Sequence, residues 1–386
     1  MSTEEQWIKQ LKKELKTETL SEFQSTIEDI DWAYEHNNVS LPSFDFSNTE
    51  QTSCLFFSYY KVINALQSNS EILQDLNQGT QGLLVCCDKT PELDQLFKGV
   101  LFEYIHTRVV VSNSEDLVLV NQWVMKNKPA NFTVEFSAIQ ENTSLRIDGF
   151  SSYAVGANAW QELSYVCHEL ESHLPTIPLN QDIVAEFGIG ENFLFEVAKL
   201  TAFQWLSEAI LTKFGRKDII ITLRARLGWR NKSFGELHTN QIRQSSEVLC
   251  ALVAGVNQLC ISPYDHCFEE KPSALSRRMA INIGHILKEE AHIDWFSGLT
   301  KGSYITTYLI HELCNKVWDT LRSSDNIKDQ LLSAIQVTIS KRKMRIHEHS
   351  DRFIGINHLT NSNEKKTYND QARGVFGLPY LFFETI

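Results

Sequence analysis

The sequence predicts an α/β fold, specifically a closed (β/α)8 barrel preceded by an N-terminal helical extension. From about residue 55 onward, short apolar runs rich in β-branched residues alternate with amphipathic helical segments. These runs are apolar on both faces, which is typical of parallel strands covered by helices. About eight such units in succession favour a closed barrel over an open sheet.

Composition narrows the class of protein. The chain has 386 residues, 42% of them hydrophobic and 22% charged, which is ordinary for a globular protein. Its net charge of −12 argues against a general binder of nucleic acid or anionic membranes. The N-terminus is polar and no apolar run approaches the roughly 20 residues of a bilayer span, so we expect a cytoplasmic protein. The eight cysteines show no CxxC spacing, and pairs such as Cys86–Cys87 predict reduced, packed thiols, with a reactive vicinal pair as the alternative.

Residues 1–54 are predicted to form an arm and linker that dock a partner. Residues 3–16 have helical periodicity, with Trp7, Ile8, Leu11 and Leu15 on one side and lysines on the other. The segment 36–54 is rich in Asn, Ser and Thr, which indicates a linker.

The barrel is predicted over residues 55–360, and a C-terminal tail over 361–386 resembles the remnant of a linker. The predicted strands are 82–87, 107–112, 132–138, 144–150, 218–226, 256–264, the Gly-Ser-Tyr at 302–304, and 352–357. The predicted helices are 91–103, 114–126, 157–174, 191–214, 238–254, 273–293 and 306–322.

Within the stretch 285-HILKEEAHIDWFSGLTKGSYI-305, His285, Glu289 and His292 share one helix face and suggest a metal site. The same wheel predicts an opposite, barrel-facing stripe of Leu275, Met279, Ile283, Ile286 and Leu287. The face with Arg278, His285, Glu289 and His292 then points to solvent, and barrel sites lie at strand C-termini instead. We therefore interpret this face as solvated and predict no metal ligands.

Four stretches, in this order, resemble the methylmalonyl-CoA mutase family over about residues 144–357. They are 148-DGFSSYAVGANAWQELSYV-166, 192-NFLFEVAKLTAFQWL-206, 228-GWRNKSFGELHTNQIRQSSEVLCALVAGVNQLCISPYD-265 and 275-LSRRMAINIGHILKEEAHI-293 followed by GSY at 302–304. The opening TEEQWIKQLKKEL is similar to the start of the family's small (beta) subunits. The resemblance implies a coenzyme-B12 isomerase assembly that interconverts methylmalonyl-CoA and succinyl-CoA. It also implies a barrel that threads the CoA chain, with a separate flavodoxin-like domain for cobalamin.

The sequence departs from the family pattern in three places. It contains no Asp-x-His-x-x-Gly, and the 29 residues after Asn357 are too few for the doubly wound cobalamin domain. The family's His-Cys-Gln-Thr-Ser-Gly-Trp strand corresponds here to 222-TLRARLGWRNKS-233, with Arg224 near the His position. An arginine binds a carboxylate or phosphate but is always charged and is no tunable acid. No Arg-Gln-Tyr segment precedes residue 90. We therefore expect no catalytic residues and no cofactor bound by this chain.

The barrel is also predicted to be filled by its own side chains rather than open along its axis. Its strands contribute bulky apolar residues: Leu83, Val85, Val109, Phe132, Phe136, Ile219 and Ile221.

Other candidate sites are weaker. Tyr264, Asp265 and His266 follow a strand, where scaffold hydrogen bonding is the favoured role. Arg243 is expected to pair within the fold or across an interface. Gly188 and Gly190 before a helix suggest phosphate binding only weakly. The cluster at 341–349, KRKMRIHEH, is typical of a charged helix end.

The leading hypothesis is a non-catalytic, small-subunit-like partner that forms a heterodimer with a larger, adenosylcobalamin-binding mutase subunit. The alternative is a stand-alone acyl-CoA-binding or modifying barrel, in which Arg224, Arg226 and Asp265 contact substrate. A third hypothesis, that cobalamin arrives on a separate small chain and this barrel catalyses, has the least support.

Overall fold

The structure is a computed structural model, and it describes residues 3–16, 25–27, 29–32, 53–87, 89–179, 181–266, 272–293, 302–323, 326–360 and 375–383. Most of the predicted linker 36–54 and much of the predicted tail 361–386 lie outside these residues. Among the helices of the described ranges, none combines the length and apolar character needed to cross a bilayer.

Eight parallel strands close into a barrel, which confirms the predicted fold class. After two short N-terminal strands, β1 (Ser25–Ile27) and β2 (Ile30–Trp32), the barrel strands are β3 (Leu55–Val62), β4 (Gly82–Cys87), β5 (His106–Val111), β6 (Phe132–Phe136), β7 (Ser144–Asp148), β8 (Ile183–Ile189), β9 (Ile221–Leu227) and β10 (Gln258–Ile261). Strand β10 pairs with both β9 and β3, and that second pairing closes the barrel. All eight strands lie within residues 55–261.

Helices follow most strands. They are α1 (Thr3–Leu15), α2 (Ala65–Leu76), α3 (Leu93–Leu96), α4 (Ser114–Asn127), α5 (Gly149–Ala154), α6 (Ala159–His173), α7 (Phe193–Lys213), α8 (Leu237–Ala254), α9 (Ala274–His285), α10 (Tyr304–Ser323) and α11 (Ile327–His347). A π-helical turn, Ile286–Glu290, extends α9. Asparagine side chains cap the N-termini of α2, α4, α6, α7 and α11 by accepting a backbone N–H.

Two of the predicted strands are wrong, and two barrel strands went unpredicted. The Gly-Ser-Tyr at 302–304 begins α10, where the Ser303 hydroxyl accepts a bond from the Thr306 N–H. Residues 352–357 form turns around a single bridge between Ile354 and His358, with Gly355 at a φ of 72°. Strands β3 and β8 take their places in the barrel. Because every residue of β8 is buried, it lacks the alternation that separates a strand from a buried helix.

The core forms two apolar layers between the sheet and the helices. One layer joins the β7–β10 side to α6, α7, α8 and α10, with residues such as Leu163, Phe203 and Leu313. The other joins β3–β6 to α2, α3 and α4, with residues such as Ile72 and Leu96. Helix α3 is much shorter than the predicted 91–103 helix.

Residues 29 and 30, in the N-terminal part of the chain, pack against the barrel's helices. Ile30 of β2 is buried, and Asp29 pairs with Lys341 of α11 at 3.0 Å while accepting a bond from Asn158. Helix α1 confirms the predicted N-terminal helix, although the side chains of Trp7, Ile8 and Leu15 lie outside the described residues.

The C-terminal segment, residues 378–383, lies across the loops at the C-terminal ends of the strands. The Leu381 N–H donates to the Ala154 carbonyl and the Phe383 N–H to the Arg230 carbonyl, both at 2.8 Å. Phe383 is 1% exposed and stacks against Phe353. The segment therefore covers part of the barrel mouth.

Candidate functional site

Buried charged residues lie inside the barrel and at its mouth. They include Arg224, Arg226 and Asp265, the three candidate ligand contacts named from the sequence. Register places Glu186 of β8 beside Arg224 of β9, and Arg224 beside Gln258 of β10. The side chains of inward-facing positions meet on the barrel axis. An ion network therefore spans the interior.

Arg224 is the centre of this network. It is fully buried, and its Nη1 donates to Glu135 Oε2 at 2.9 Å and to Glu186 Oε2 at 3.0 Å. Its Nη2 donates to Glu135 Oε1, and both Nε and Nη2 donate to Gln258 Oε1. Because every guanidinium nitrogen is already engaged, Arg224 is held within the scaffold.

Two further arginines complete the network. Arg146 of β7 pairs with Glu186 at 2.7 Å and with Asp148 at 3.1 Å. Arg108 of β5 lies 3.6 Å from Glu135. Burial opposes ionisation of Glu186, but the guanidinium groups of Arg146, Arg224 and Arg226 hold the pKa of its carboxyl well below the ordinary value.

The interior is filled by the chain's own side chains, although not by the residues expected. The seven apolar residues named from the sequence pack in the outer layers against the helices. Apolar interior positions are held by Phe57, Leu84 and Cys260, with Leu55, Tyr59 and Val110 beside them. The outward facing of the seven residues follows from strand alternation, which places Leu83 and Val85 opposite to Leu84.

Arg226, two positions beyond Arg224, lies one level higher at the mouth. It is 5% exposed, and the centre of its guanidinium lies 4.0 Å from the ring of Tyr59, 4.2 Å from Phe150 and 4.9 Å from Trp229. Its nearest carboxylate is Glu186, at 3.8 Å. Within the described residues, its Nε and Nη2 atoms have no hydrogen-bond partner.

The residues after β10 close another side of the mouth. Asp265 is buried, and its Oδ2 accepts the Ser273 N–H at 3.0 Å, which ties the strand to α9. His266 stacks edge-on against Tyr59, with 4.9 Å between ring centres, and also contacts Trp229. Burial, with the charges of Arg226 and Lys61, lowers the pKa of His266 to about 3, so the ring is neutral near pH 7. The expected scaffold role fits Asp265 through this bond.

The glycines considered for phosphate binding instead make room for Tyr153 of α5. A Cβ on Gly188 would lie 2.2 Å from the Tyr153 ring, and one on Gly228 would lie 2.1 Å from its hydroxyl. A Cβ on Gly190 would lie 2.5 Å from the same hydroxyl. Arg230 stacks on the ring, at 3.9 Å from its centre. The close approach of this ring explains the glycines.

A buried ion triad joins two of the recognised stretches. Lys199 of α7 contacts Glu162 of α6 at 2.6 Å and Glu196 at 2.5 Å, and all three are almost fully buried. Glu162 also accepts the Gly188 N–H at 2.7 Å. Burial and the neighbouring Glu196 raise the pKa of Glu162 to about 7, because two carboxylates share one ammonium. The triad fixes α6 and α7 against β8.

The third stretch forms a similar network. Lys232 contacts both carboxylate oxygens of Glu247, at 2.6 Å and 2.8 Å, and Asn231 donates to the same carboxylate. Arg243 donates to Asn240 at 2.9 Å and also to the Ile354 carbonyl, a pairing within the fold. Of these residues the sequence analysis named only Arg243, which is partly exposed, whereas Lys232 and Glu247 are buried.

Helix α9 does not follow the predicted wheel completely. Leu275 and Ile286, expected in the core, are 53% and 48% exposed, whereas Arg277 is buried and pairs with Asp75 at 3.1 Å. His285, predicted on the solvent face, contacts the Gly79 carbonyl at 2.8 Å and lies edge-on to Phe56. The inner face of α9 therefore includes the buried Arg277–Asp75 ion pair and is not the purely apolar stripe that the wheel predicted.

The remaining candidates are the Cys86–Cys87 pair and the charged helix end at 341–349. Cys86 faces the interior and is partly exposed, whereas Cys87 is buried on the outer side, and both are free thiols. The cluster at 341–349 ends α11, where Arg342 is buried against Phe383 and Arg345 pairs with Asp351 at 2.8 Å. Neither group contributes to the network around Arg224.

The chain is similar in sequence to proteins of one known family. A sequence model of the family described as methylmalonyl-CoA mutase matches residues 123–373. The small subunit of methylmalonyl-CoA mutase from Porphyromonas gingivalis is 26% identical over 240 residues, which cover 57% of this chain and 39% of that protein. Methylmalonyl-CoA mutase from Cereibacter sphaeroides is 27% identical over 55% of this chain and 33% of its own length.

The large mutase subunit of Propionibacterium freudenreichii is 26% identical over 54% of this chain and 30% of that protein. The chain thus matches only about a third of the length of these relatives. Among solved structures, a dihydropteroate synthase from Coxiella burnetii aligns with 69% of this chain at 11% identity and a TM-score of 0.38, which is too distant to bear on function. The family match covers well over half of the chain and contains all four recognised stretches, so the chain belongs to the methylmalonyl-CoA mutase family.

Proposed function

We propose that this chain is a non-catalytic subunit of a methylmalonyl-CoA mutase, paired as a heterodimer with a larger subunit that carries adenosylcobalamin. The observation that carries the proposal is the ion network of Arg224 with Glu135 and Glu186, which occupies the barrel axis. A barrel that threads the CoA chain requires that axis to be free. The isomerisation of methylmalonyl-CoA and succinyl-CoA would then take place on the partner.

The energetics of the network support this reading. Removing one member of a buried ion pair leaves an uncompensated charge and costs about 3–5 kcal/mol. An acyl-CoA that displaced Arg224 from both carboxylates would have to repay such a cost. Arginine also stays protonated at all physiological pH values, so Arg224 and Arg226 are unsuited to proton transfer.

The four recognised stretches support the same conclusion, because their buried charged residues pair with one another inside the scaffold. The triad of Glu162, Glu196 and Lys199 and the pair of Lys232 with Glu247 are buried inside the scaffold. Residues 1–54 would supply the arm that docks the partner. Cobalamin binding falls to the partner in this proposal.

The test is isolation of the tagged full-length chain from its native cells, followed by mass spectrometry of whatever accompanies it. The proposal expects a larger chain in near one-to-one ratio that contains Asp-x-His-x-x-Gly. A chain that elutes as a monomer with no such companion would contradict it. An Arg278→Gln variant, changed at an exposed position, serves as the matched control for tag and handling.

The alternative, a stand-alone acyl-CoA-binding barrel, rests on the arginines and Asp265. Arg224 is fully engaged, whereas Arg226 Nε and Nη2 and Asp265 Oδ1 have no hydrogen-bond partner within the described residues. A stabilisation by methylmalonyl-CoA that disappears in Arg226→Met would favour this alternative.

A further inference from the structure

We propose that the mouth of the barrel contains a site for a small free carboxylate, bound by the Nε–Nη2 edge of Arg226. This guanidinium is 5% exposed, and within the described chain neither Nε nor Nη2 has a hydrogen-bond partner. These two nitrogens form one edge of the planar group, and such an edge donates two parallel bonds to a carboxylate.

The surroundings select a planar ligand. The rings of Tyr59, Phe150 and Trp229 cover the guanidinium at 4.0 to 4.9 Å from its centre. A ligand therefore approaches in the guanidinium plane rather than over it. A carboxylate presents two oxygens in one plane, whereas a tetrahedral phosphate requires more room between the rings.

Charge around Arg226 is unbalanced. Glu186, its nearest carboxylate, already contacts Arg146 at 2.7 Å and Arg224 at 3.0 Å, compared with 3.8 Å to Arg226. The other titratable groups that act on Arg226 are neutral near pH 7: Tyr59, Cys86 and Cys260. His266 beside them is also neutral, and Lys61 adds positive charge. A bound carboxylate would supply the missing counter-charge.

The position of the site limits the size of the ligand. Tyr59, Cys86, Asp148 and His266 are partly exposed, so solvent reaches the mouth from above. Below Arg226, the network around Arg224 closes the axis. The two nitrogens are themselves enclosed, so entry requires a shift of one of the three surrounding rings. One of these rings, Trp229, packs against Tyr380 of the C-terminal segment. Because the ion network closes the axis below Arg226, the proposed ligand is a short-chain monocarboxylate rather than a CoA thioester.

The experiment uses the full chain and follows the Arg Nε–H resonances of the ¹⁵N-labelled protein during titration with sodium acetate or sodium propionate. Sodium chloride and sodium phosphate at equal ionic strength are the comparisons. We expect one slowly exchanging, buried Nε–H signal to shift downfield in a saturable manner with either carboxylate and not with chloride or phosphate. The readout needs no variant, so it does not depend on a mutant that folds.

Variants then assign the signal. Arg226→Lys keeps the charge but loses the planar edge, and we expect it to weaken propionate binding at least tenfold. Arg278→Gln, at an exposed position, should leave binding unchanged. The inference is overturned if no carboxylate gives a saturable shift, or if chloride and phosphate give the same shift. Because the titration contains no partner chain, its result is independent of the pull-down described above.

Discussion

Buried charged residues are the most informative feature at the residue scale. Arg224, Lys199 and Lys232 are each at most 2% exposed and each contacts at least one buried carboxylate. Such pairs gain little net stability relative to apolar replacements, but losing one partner is costly because the other charge stays buried. In this chain they join strands and helices that are distant in sequence.

Replacing Lys199 with Met tests this reading. The substitution leaves Glu162 and Glu196 without their ammonium partner, so we expect a loss of about 3–5 kcal/mol in the free energy of unfolding. Urea denaturation monitored by circular dichroism measures it. Lys213→Met is the control, because Lys213 is 61% exposed and pairs with Glu171 on the surface. A loss below about 1 kcal/mol in both variants would contradict the prediction.

His266 gives a prediction for pH. Its pKa is about 3 in the folded protein and 6.5 in the unfolded chain, so below pH 6.5 only the unfolded chain takes up the proton. The contribution of His266 is complete above pH 6.5 and is lost as the pH falls toward 3. The slope is at most about 1.4 kcal/mol per pH unit, because a single proton is taken up.

Unfolding of wild type and His266→Gln, compared at several pH values between 7 and 4, isolates this contribution. We expect the variant to lose less stability with acid than wild type. Equal slopes would show that the ring titrates normally in the folded protein.

At the element scale, Gly188 in β8 and Gly190 just after it set how closely α5 packs on the barrel. A Cβ on Gly190 meets first the Tyr153 hydroxyl at 2.5 Å and then ring carbons at 3.1 Å or more, whereas one on Gly188 meets ring carbons at 2.2 Å. We expect Gly190→Ala to cost about 1–3 kcal/mol by overpacking, and Tyr153→Phe to restore most of it. Thermal unfolding of both single variants and the double variant measures the coupling.

Gly188→Ala is the matched control for that rescue. Removing the hydroxyl leaves the ring carbons in place, so Tyr153→Phe should not restore stability to Gly188→Ala. Tyr153→Phe alone should cost little, because the buried hydroxyl has no hydrogen-bond partner within the described residues. Equal rescue of both alanine variants would contradict the contact geometry.

The C-terminal segment gives a second prediction at this scale. Phe383 is 1% exposed and lies among Phe353, Arg230 and Arg342. We expect Phe383→Ala to lower the free energy of unfolding by about 3–5 kcal/mol. Phe193, which is 36% exposed, provides a control of the same chemistry. If both alanine variants lost the same small amount, the segment would not be packed on the mouth in solution.

The sequence predicted those elements whose patterns are local. Strand β4 and helices α4, α7 and α8 lie within a few residues of their predicted bounds. Asparagine caps mark the starts of α4 and α7. Strand β8 was missed because all of its residues are buried in the closed barrel, so it shows no alternation of apolar and polar residues. Strand β3 was also missed, and it shows no strict alternation of buried and exposed residues either. The site could be predicted only in part. Arg224 lies in a strand that the sequence predicts, but its partners Glu135 and Glu186 are 89 and 38 residues away along the chain.

At the scale of the whole molecule, a barrel of the mutase family has its axis occupied by charged side chains from β6, β8 and β9. The family stretches hold the surrounding helices in place, and the C-terminal segment covers part of the mouth. These features show that the chain keeps the family's barrel architecture, and they support the proposal that the reaction takes place on another subunit.

The most direct test is calorimetric titration of the purified chain with methylmalonyl-CoA. We predict no saturable binding, because the ion network around Arg224 blocks the path of the CoA chain through the barrel. Separate titration of the partner-containing complex should show a single site per heterodimer. One-to-one binding of methylmalonyl-CoA to the isolated chain would contradict the proposal and would show that the barrel opens for substrate.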